Sequence, residues 1–329
     1  MKGFLKGLSA VLALTTFLAA NEFADLYRSG GLSAMEQRAN EILSSSEYWQ
    51  QKLENLDTRF GYFEEPRKHL FVVDKSAQIF ALYDYQGGRL LHEGDYNATL
   101  GDAHGDKFVE GDLKTPVGTY RITGRLSQKT HKLDSYYGPL AFTTNYPNYH
   151  DRKLKKTGHG IWVHGFPLNG HRDNNNSEGC VVVDNELLLE LDKRVNSEDI
   201  VVMINEEGRL EADKNDLADI LALLFRWRWT WKTNDLENYL SLYSKDFTRH
   251  DGLKREKFDI MKRQIFSRNE QKIIDFSDIE VVPYPNSVGQ TLYRVRYWQD
   301  YTAPSHVSSR TKELYVRKEG GRFVIILEH

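Results

Sequence analysis

The chain contains one cysteine, Cys180, and a histidine, His164, lies 16 residues before it. A free thiol has a pKa near 8.5 and is mostly protonated at neutral pH. A neighbouring imidazole can take its proton, so that the thiolate attacks a carbonyl carbon and the imidazolium protonates the leaving amine. Both residues flank one polar loop, beside short apolar runs at 161–163 and 181–183 that indicate strands. Paired strands lie about 5 Å apart, so we expect the end of one and the start of the next to bring the two side chains together.

Glycines beside this pair fit the same chemistry. The carbonyl of Gly165 could orient the imidazole ring, and Gly179 lets the backbone approach a substrate closely. The N–H groups of Gly179 and Cys180 are candidate oxyanion donors, each worth on the order of 3 kcal/mol in the transition state. The alternative is that Cys180 is a small buried hydrophobic residue near a structural histidine.

Histidines are concentrated around the same loop, which raises the question of a zinc site. The four that lie within 22 positions are His150, His159, His164 and His171. No His-Glu-x-x-His motif or paired-cysteine spacing accompanies them. We therefore expect neither a metal nor any other cofactor.

These residues resemble the signature of the YkuD-type L,D-transpeptidase family, which is a histidine–glycine pair, a loop, and then serine or threonine, histidine, glycine and cysteine. The matching positions are His164, Gly165, Ser177, Gly179 and Cys180. Residues 111–120 resemble the other recurring segment of the family. The resemblance covers about residues 68–205 and implies a mainly β YkuD-type catalytic domain with a cysteine nucleophile.

Two departures from the family pattern bear on the reaction. Glu178 stands where the family usually has histidine, and Val182 stands where it usually has an arginine that would bind a carboxylate or order the loop. Residues 136–151 resemble a hydrolytic branch that acts at the L-centre of diaminopimelate in wall peptides. The resemblance thus implies an L,D-carboxypeptidase that removes the terminal D-alanine from tetrapeptide stems of peptidoglycan. The alternatives are a transpeptidase at the same centre and a wall-binding scaffold without catalysis.

Five further residues are candidates for contact with the stem peptide. Ser177 belongs to the motif, and Tyr137 and Trp162 could line a groove or pack the core. His159 could face the site or lie in solvent, and Arg172 could hold a carboxylate of the peptide or belong to a solvated charged face.

The composition is that of an ordinary globular protein. The chain has 329 residues, of which 40% are hydrophobic and 28% charged, and a net charge of −3. This predicts two or three domains and no overall field that would attract nucleic acid. Residues 1–20 have the basic, apolar and small-residue order of a secretory signal peptide, or of an anchor that is kept. We expect export to the periplasm, with no stable membrane insertion after the signal is removed.

Three regions follow the predicted signal peptide. Residues 21–66 show helical spacing, and this segment must pack on the rest of the chain or on a second copy, so it could form a homodimer. Residues 67–205 contain many short strand patterns. Residues 206–329 begin with a linker, continue with helices over 217–231 and 236–243, and end in strands.

The C-terminal region therefore predicts an α+β domain, and its opening helices resemble those of NTF2-like domains. The whole arrangement is similar to that of the cell-shape-determining L,D-carboxypeptidases of curved and helical Gram-negative bacteria. The fold class predicted from the sequence is therefore a YkuD-type catalytic domain and an NTF2-like domain, preceded by a short helical segment.

Overall fold

The N-terminal part of the chain is helical. The structure, a computed structural model, describes residues 2–169 and 176–329, with side chains from Asn21 onward. Helix α1 (Lys2–Leu43) contains a break at Gly31, where φ is 65°. Helix α2 (Ser46–Leu53) begins after Ser45, whose side chain accepts a hydrogen bond from the Tyr48 N–H. The predicted signal peptide, residues 1–20, lies outside the described side chains.

A single sheet forms the middle region. Within the described residues it has eight strands, in the order β4-β3-β2-β9-β5-β6-β7-β8. After β1 (Tyr62–Phe63), the strands are β2 (Arg67–Asp74), β3 (Ile79–Gln86), β4 (Arg89–Asn97), β5 (Gly118–Ser127), β6 (Leu140–Thr144), β7 (Trp162–His164), β8 (Val181–Val182) and β9 (Ile200–Asn205). The helices here are α3 (Gln128–His131), α4 (Tyr149–Lys153) and α5 (Asn185–Arg194). The two shortest strands, β7 and β8, lie at one end of this sheet.

The C-terminal region combines three helices with a second sheet. The helices are α6 (Lys214–Lys232), α7 (Leu236–Ser241) and α8 (Arg255–Phe266). The strands are β10 (Tyr243–Arg249), β11 (Ile273–Pro283), β12 (Leu292–Ala303), β13 (His306–Glu319) and β14 (Arg322–Glu328). Their order in the described sheet is β1-β11-β12-β13-β14-β10, so β1 belongs to this sheet although it precedes the catalytic region.

The N-terminal helices pack on this C-terminal domain. Trp49 and Leu53 of α2 are buried in the same core cluster as the apolar residues of α6, and the Trp49 ring stacks on Phe225 with a centroid distance of 5.4 Å. Arg228 of α6 donates to Asn40 Oδ1 at 2.7 Å. The sequence predicts that the N-terminal segment packs on the rest of the chain or on a second copy, and the structure shows it packed on the rest of the chain.

The two larger domains also contact each other directly. The Thr119 hydroxyl on β5 donates to the Pro283 carbonyl at 2.7 Å, and the Asn148 amide donates to the Tyr284 hydroxyl at 2.8 Å. The His150 ring lies 4.9 Å from the ring of Tyr284. These contacts join β5 to Pro283, the last residue of β11, and the start of α4 to Tyr284, the next residue.

Most of the predicted elements are present, and one prediction is wrong at its end. The sequence predicts a helix through Tyr243, but α7 ends at Ser241 and Tyr243 begins β10. This strand pairs in parallel with β14, with Tyr243 opposite Ile325, and that pairing overrides the local helical pattern. No helix among the described residues has both the length and the apolar character that a membrane crossing requires.

Candidate active site

The register of β7 and β8 relates the position of the cysteine to that of the histidine. The two strands are parallel, with Val163 opposite Val181 and His164 opposite Val182. Side chains alternate along a strand, and both Val163 and Val181 point into the catalytic-domain core, so His164 points to the opposite face. Cys180 directly precedes β8 and lies diagonally across from His164, about 8 Å away between Cα atoms. Side chains of this length can meet across such a diagonal.

The register of the two strands differs from the one expected. In a parallel pair, the residue before β8 lies beside the start of β7, so Cys180 is level with Trp162 rather than with His164. The sequence predicts contact between the end of one strand and the start of the next. Because β7 is only three residues long, His164 lies two positions beyond Trp162, and contact between the two side chains stays a prediction.

The His164 ring is oriented by its own chain neighbour. His164 is 1% exposed, and its Nδ1 lies 2.8 Å from the Gly165 carbonyl oxygen. A carbonyl can only accept, so Nδ1 carries the proton and donates it. In the neutral ring the lone pair is then on Nε2, which is the atom that can accept a proton from a thiol. This is the role predicted for the Gly165 carbonyl.

The Cys180 sulfur is partly exposed and contacts the backbone of the strand before the histidine. The Trp162 N–H donates to Sγ at 3.4 Å, and Sγ lies 3.3 Å from the Gly160 carbonyl oxygen, to which the thiol can donate. Cys180 therefore does not have the surroundings of a thiol enclosed in an apolar core.

The loop before the cysteine is held by Ser177. The Ser177 Oγ accepts from the Gly179 N–H at 3.1 Å and donates to the Cys180 carbonyl at 2.6 Å. Ser177 is only 5% exposed. The Ser177 side chain thus orders the loop, and its contact with substrate stays a prediction. The same hydrogen bond occupies the Gly179 N–H, one of the two predicted oxyanion donors.

The segment 111–120 packs against the loop before Cys180. A Cβ atom at Gly179, where φ is 129°, would lie 2.6 Å from the Lys114 carbonyl oxygen. Asp112 fixes the turn before it by accepting from the N–H groups of Phe108, Val109 and Lys114. Partial burial opposes ionisation of Asp112, but these bonds and the Lys107 ammonium outweigh it and lower the pKa of Asp112 to about 2.

Aromatic rings form one wall beside the pair. The Tyr137 ring lies 4.9 Å from the Trp162 ring and meets the His164 ring edge-on at 5.1 Å. Burial raises the pKa of Tyr137, and the nearby charges of Cys180 and Glu178 raise it further. The Tyr137 phenol therefore stays protonated and can donate a hydrogen bond next to the sulfur.

The other two residues predicted to contact the substrate, His159 and Arg172, stay predictions. His159 is exposed on the loop before β7. Arg172, like His171, lies outside the described residues. Within residues 2–169 and 176–329, no group of three or more potential metal-ligating His, Cys, Asp or Glu side chains occurs.

Sequence reasoning missed the packing around Gly165. A Cβ at this position would overlap Asn185 Oδ1 and lie 3.0 Å from Pro139 Cδ. The Asn185 Nδ2 donates to the Phe166 carbonyl at 3.1 Å, so Asn185 holds the chain directly after the histidine. Its position five residues after Cys180 gave no local signal of this contact.

Comparisons with known proteins agree with this fold. Residues 68–203 match the L,D-transpeptidase catalytic domain, YkuD, and residues 219–329 match the Cds6 C-terminal NTF2-like domain. The solved structure of the helical cell shape determining protein Pgp2 from Campylobacter jejuni is 36% identical, covers 87% of this chain and 99% of its own, and has a TM-score of 0.80. For a point mutant of Pgp2 the values are 35%, 88%, 99% and 0.81.

A solved structure of lower sequence identity also matches most of the chain. Bd1075 of Bdellovibrio bacteriovorus is 28% identical, covers 83% of this chain and 95% of its own, and has a TM-score of 0.65. No curated protein sequence matches the chain.

The chain therefore belongs to the YkuD L,D-transpeptidase family, and it joins that catalytic domain to an NTF2-like domain and an N-terminal helical segment. This confirms the predicted fold class. Over most of its length the chain is similar to Pgp2, and its role is that of a peptidoglycan-modifying L,D-peptidase.

Proposed function

We propose that this protein is an exported L,D-carboxypeptidase that releases the terminal D-alanine from tetrapeptide stems of peptidoglycan. The observation that supports the proposal is the parallel register of β7 and β8, in which His164 lies opposite Val182, two residues after Cys180. The partly exposed sulfur and the ring oriented through Nδ1 support it.

In the first half of the reaction, His164 Nε2 accepts the thiol proton and the Cys180 thiolate attacks the carbonyl carbon at the L-centre of diaminopimelate. The developing oxyanion accepts a hydrogen bond from the Cys180 N–H. The bond from this carbon to the nitrogen of D-alanine then breaks, and the imidazolium gives its proton to that nitrogen. A thioester joins the peptide to Cys180.

In the second half, water replaces the departed amine. His164 accepts a proton from the water, the resulting hydroxide attacks the thioester carbon, and the thiolate leaves. The products are a tripeptide stem and the starting enzyme. The Tyr137 ring contacts the rings of Trp162 and His164, and we assign Tyr137 and Trp162 to contact with the peptide beside the reacting bond.

Hydrolysis rather than amine transfer is favoured by the surroundings of Val182. This side chain stands where the family usually carries arginine, and it is fully buried. Its backbone exchanges two hydrogen bonds of 2.8 Å with Thr99, so the strand is closed on that side. At position 182 an acceptor stem would therefore meet a buried valine in place of the guanidinium that could hold its carboxylate.

The cellular role follows from the relatives. Pgp2 is described as determining helical cell shape, and the similarity to it supports a contribution of this protein to cell shape through trimming of stem peptides. Action on peptidoglycan requires a location outside the cytoplasmic membrane, which agrees with the signal-like order of residues 1–20.

The proposal is tested with purified protein and defined tripeptide, tetrapeptide and pentapeptide muropeptides. We expect D-alanine and tripeptide from the tetrapeptide alone, and a rate at least about 1000-fold lower in Cys180→Ala, because the nucleophile is lost. Mass spectrometry with glycine added as an amine acceptor separates hydrolysis from transfer. Unchanged activity in Cys180→Ala, or glycine adducts as the main product, would contradict the proposal.

A further inference from the structure

A cavity lies between the catalytic domain and the NTF2-like domain. Its volume is about 480 Å³, which is within the range of small-molecule sites. One wall comes from β5 and from residues 196–198 before β9, and the other comes from β11, β12 and β13. The lining includes neither Cys180 nor His164, so this cavity is separate from the candidate active site.

The cavity wall carries a surplus of positive charge. Three guanidinium groups line it, those of Arg121, Arg294 and Arg296, together with the carboxylates of Glu198 and Glu280. Arg294 and Glu280 form a buried ion pair, with side chains 1% and 5% exposed. The Arg294 Nε is buried and has no acceptor among the described residues, so this wall still contains an unused donor.

The other three charged groups are available to a ligand. Arg121 is exposed and Arg296 is half-buried, and neither side chain forms a hydrogen bond or an ion pair with the described part of the chain. The same holds for Glu198, which is exposed on the catalytic-domain side. Arg121 and Glu198 come from the catalytic domain and Arg296 comes from the NTF2-like domain.

This arrangement of charges defines the chemistry of a ligand. Guanidinium groups bind carboxylates through paired N–H···O bonds. Because Glu280 is paired with Arg294, Glu198 is the carboxylate that faces a ligand, and it would attract an ammonium group and disfavour a dianion such as phosphate. A molecule that carries one carboxylate and one ammonium group satisfies both ends.

We propose that this interdomain cavity binds a zwitterionic amino acid or short peptide, with its carboxylate on Arg121 and Arg296 and its ammonium group on Glu198. The ligand would bridge the two domains. The site is independent of the Cys180 chemistry and would exist whatever reaction the thiol performs.

The test is isothermal titration calorimetry of the full chain with three probes: L-alanyl-D-alanine, its N-acetyl derivative, and inorganic phosphate. We expect the dipeptide to bind more tightly than either other probe. In Arg121→Gln/Arg296→Gln its affinity should fall at least about tenfold, because both carboxylate donors are lost. Arg89→Gln, an exposed arginine at the start of β4, is the matched control and should bind like the parent.

Glu198→Gln separates the two ends of the ligand. It should weaken the dipeptide severalfold and leave the N-acetyl derivative unchanged, because the latter has no ammonium group. Retained tetrapeptide hydrolysis in these variants checks that the chain is folded. Parent-like affinity in the double arginine variant, or phosphate binding as tight as that of the dipeptide, would overturn the proposal.

Discussion

The backbone carbonyl oxygen of Lys114 lies directly beneath Gly179, only 2.6 Å from where a Cβ atom would be. Two motifs that are far apart in the sequence therefore meet at the residue before the nucleophile. The contact explains why the 111–120 segment accompanies the cysteine motif: it forms the floor on which the cysteine loop rests.

Gly179→Ala is expected to lower the rate of D-alanine release at least about tenfold. The new methyl group would collide with a backbone atom that cannot rotate away, and a positive φ of 129° adds strain of about 1–3 kcal/mol. Gly111→Ala is the control, because its φ is also positive but no atom lies within 4 Å of its Cβ position. Equal activity in both variants would show that the Lys114 contact does not position Cys180.

Gly165→Ala should also impair the enzyme, but here a second substitution can restore activity. The atom that the new Cβ would overlap belongs to the side chain of Asn185, which can be shortened. We expect Gly165→Ala/Asn185→Gly to recover part of the lost kcat, with Pro139 at 3.0 Å preventing full recovery. Steady-state kinetics of the two single variants and the double variant measure this. Strictly additive losses would exclude the proposed collision.

His164→Gln should slow both hydrolysis and thiol chemistry. Without the imidazole the thiol has no base, so we expect kcat/KM to fall at least about 100-fold. The rate of iodoacetamide alkylation of Cys180 at pH 7 should fall as well, because less thiolate is present. His306→Gln, at the exposed start of β13 in the C-terminal domain, is the control. A parent-like alkylation rate in His164→Gln would separate the histidine from the thiol.

Ser177→Ala tests a positioning role. The hydroxyl joins the Gly179 N–H to the Cys180 carbonyl, and its removal leaves a buried donor unsatisfied at a cost of about 1–3 kcal/mol. We expect a lower kcat with little change in KM, and recovery in Ser177→Thr, which keeps the hydroxyl. A large rise in KM alone would instead indicate contact with substrate.

His150 should make the stability of the protein depend on pH. Burial lowers the pKa of His150 to about 3, and the positive charges of Lys156, Lys153 and Arg317 contribute to the shift. Between pH 6.5 and 3 the unfolded chain binds a proton that the folded chain does not, so stability falls as the pH falls, by roughly 1.4 kcal/mol per pH unit.

His150→Phe provides the comparison, because it keeps a ring between Tyr284 and Tyr315 and cannot take up a proton. We expect urea midpoints at pH 7, 5.5 and 4.5 to decline less steeply in the variant than in the parent. Identical slopes would mean that His150 is not the group responsible.

The sequence predicted the core of the site better than its surroundings. Cys180, His164 and Gly165 could be identified because their types and order are tied to a reaction. The structure places Ser177 differently, since nothing in the motif distinguishes a hydroxyl that binds substrate from one that orders a loop. Asn185 was missed, because its contact with Gly165 depends on how α5 packs rather than on any local pattern.

The limits of prediction for the fold are of the same kind. Apolar runs between turn residues predicted β2, β3, β9 and the last strands, because such runs are a local pattern. The parallel pairing of β7 with β8 and of β10 with β14 depends on distant partners, which no local pattern specifies. The pairing of β1 with β11 in the second sheet could not be predicted, for the same reason.

The position of β1 has a consequence for how the chain folds. Tyr62 pairs with Val281, and α2 shares its core with α6, so these early segments have partners that follow the whole catalytic domain in the sequence. Whether the chain is delivered by synthesis or by export, its amino end comes first, and these apolar surfaces must wait until the whole intervening domain has arrived. Such distant pairing slows folding and leaves a period in which an aggregation-prone surface is uncovered.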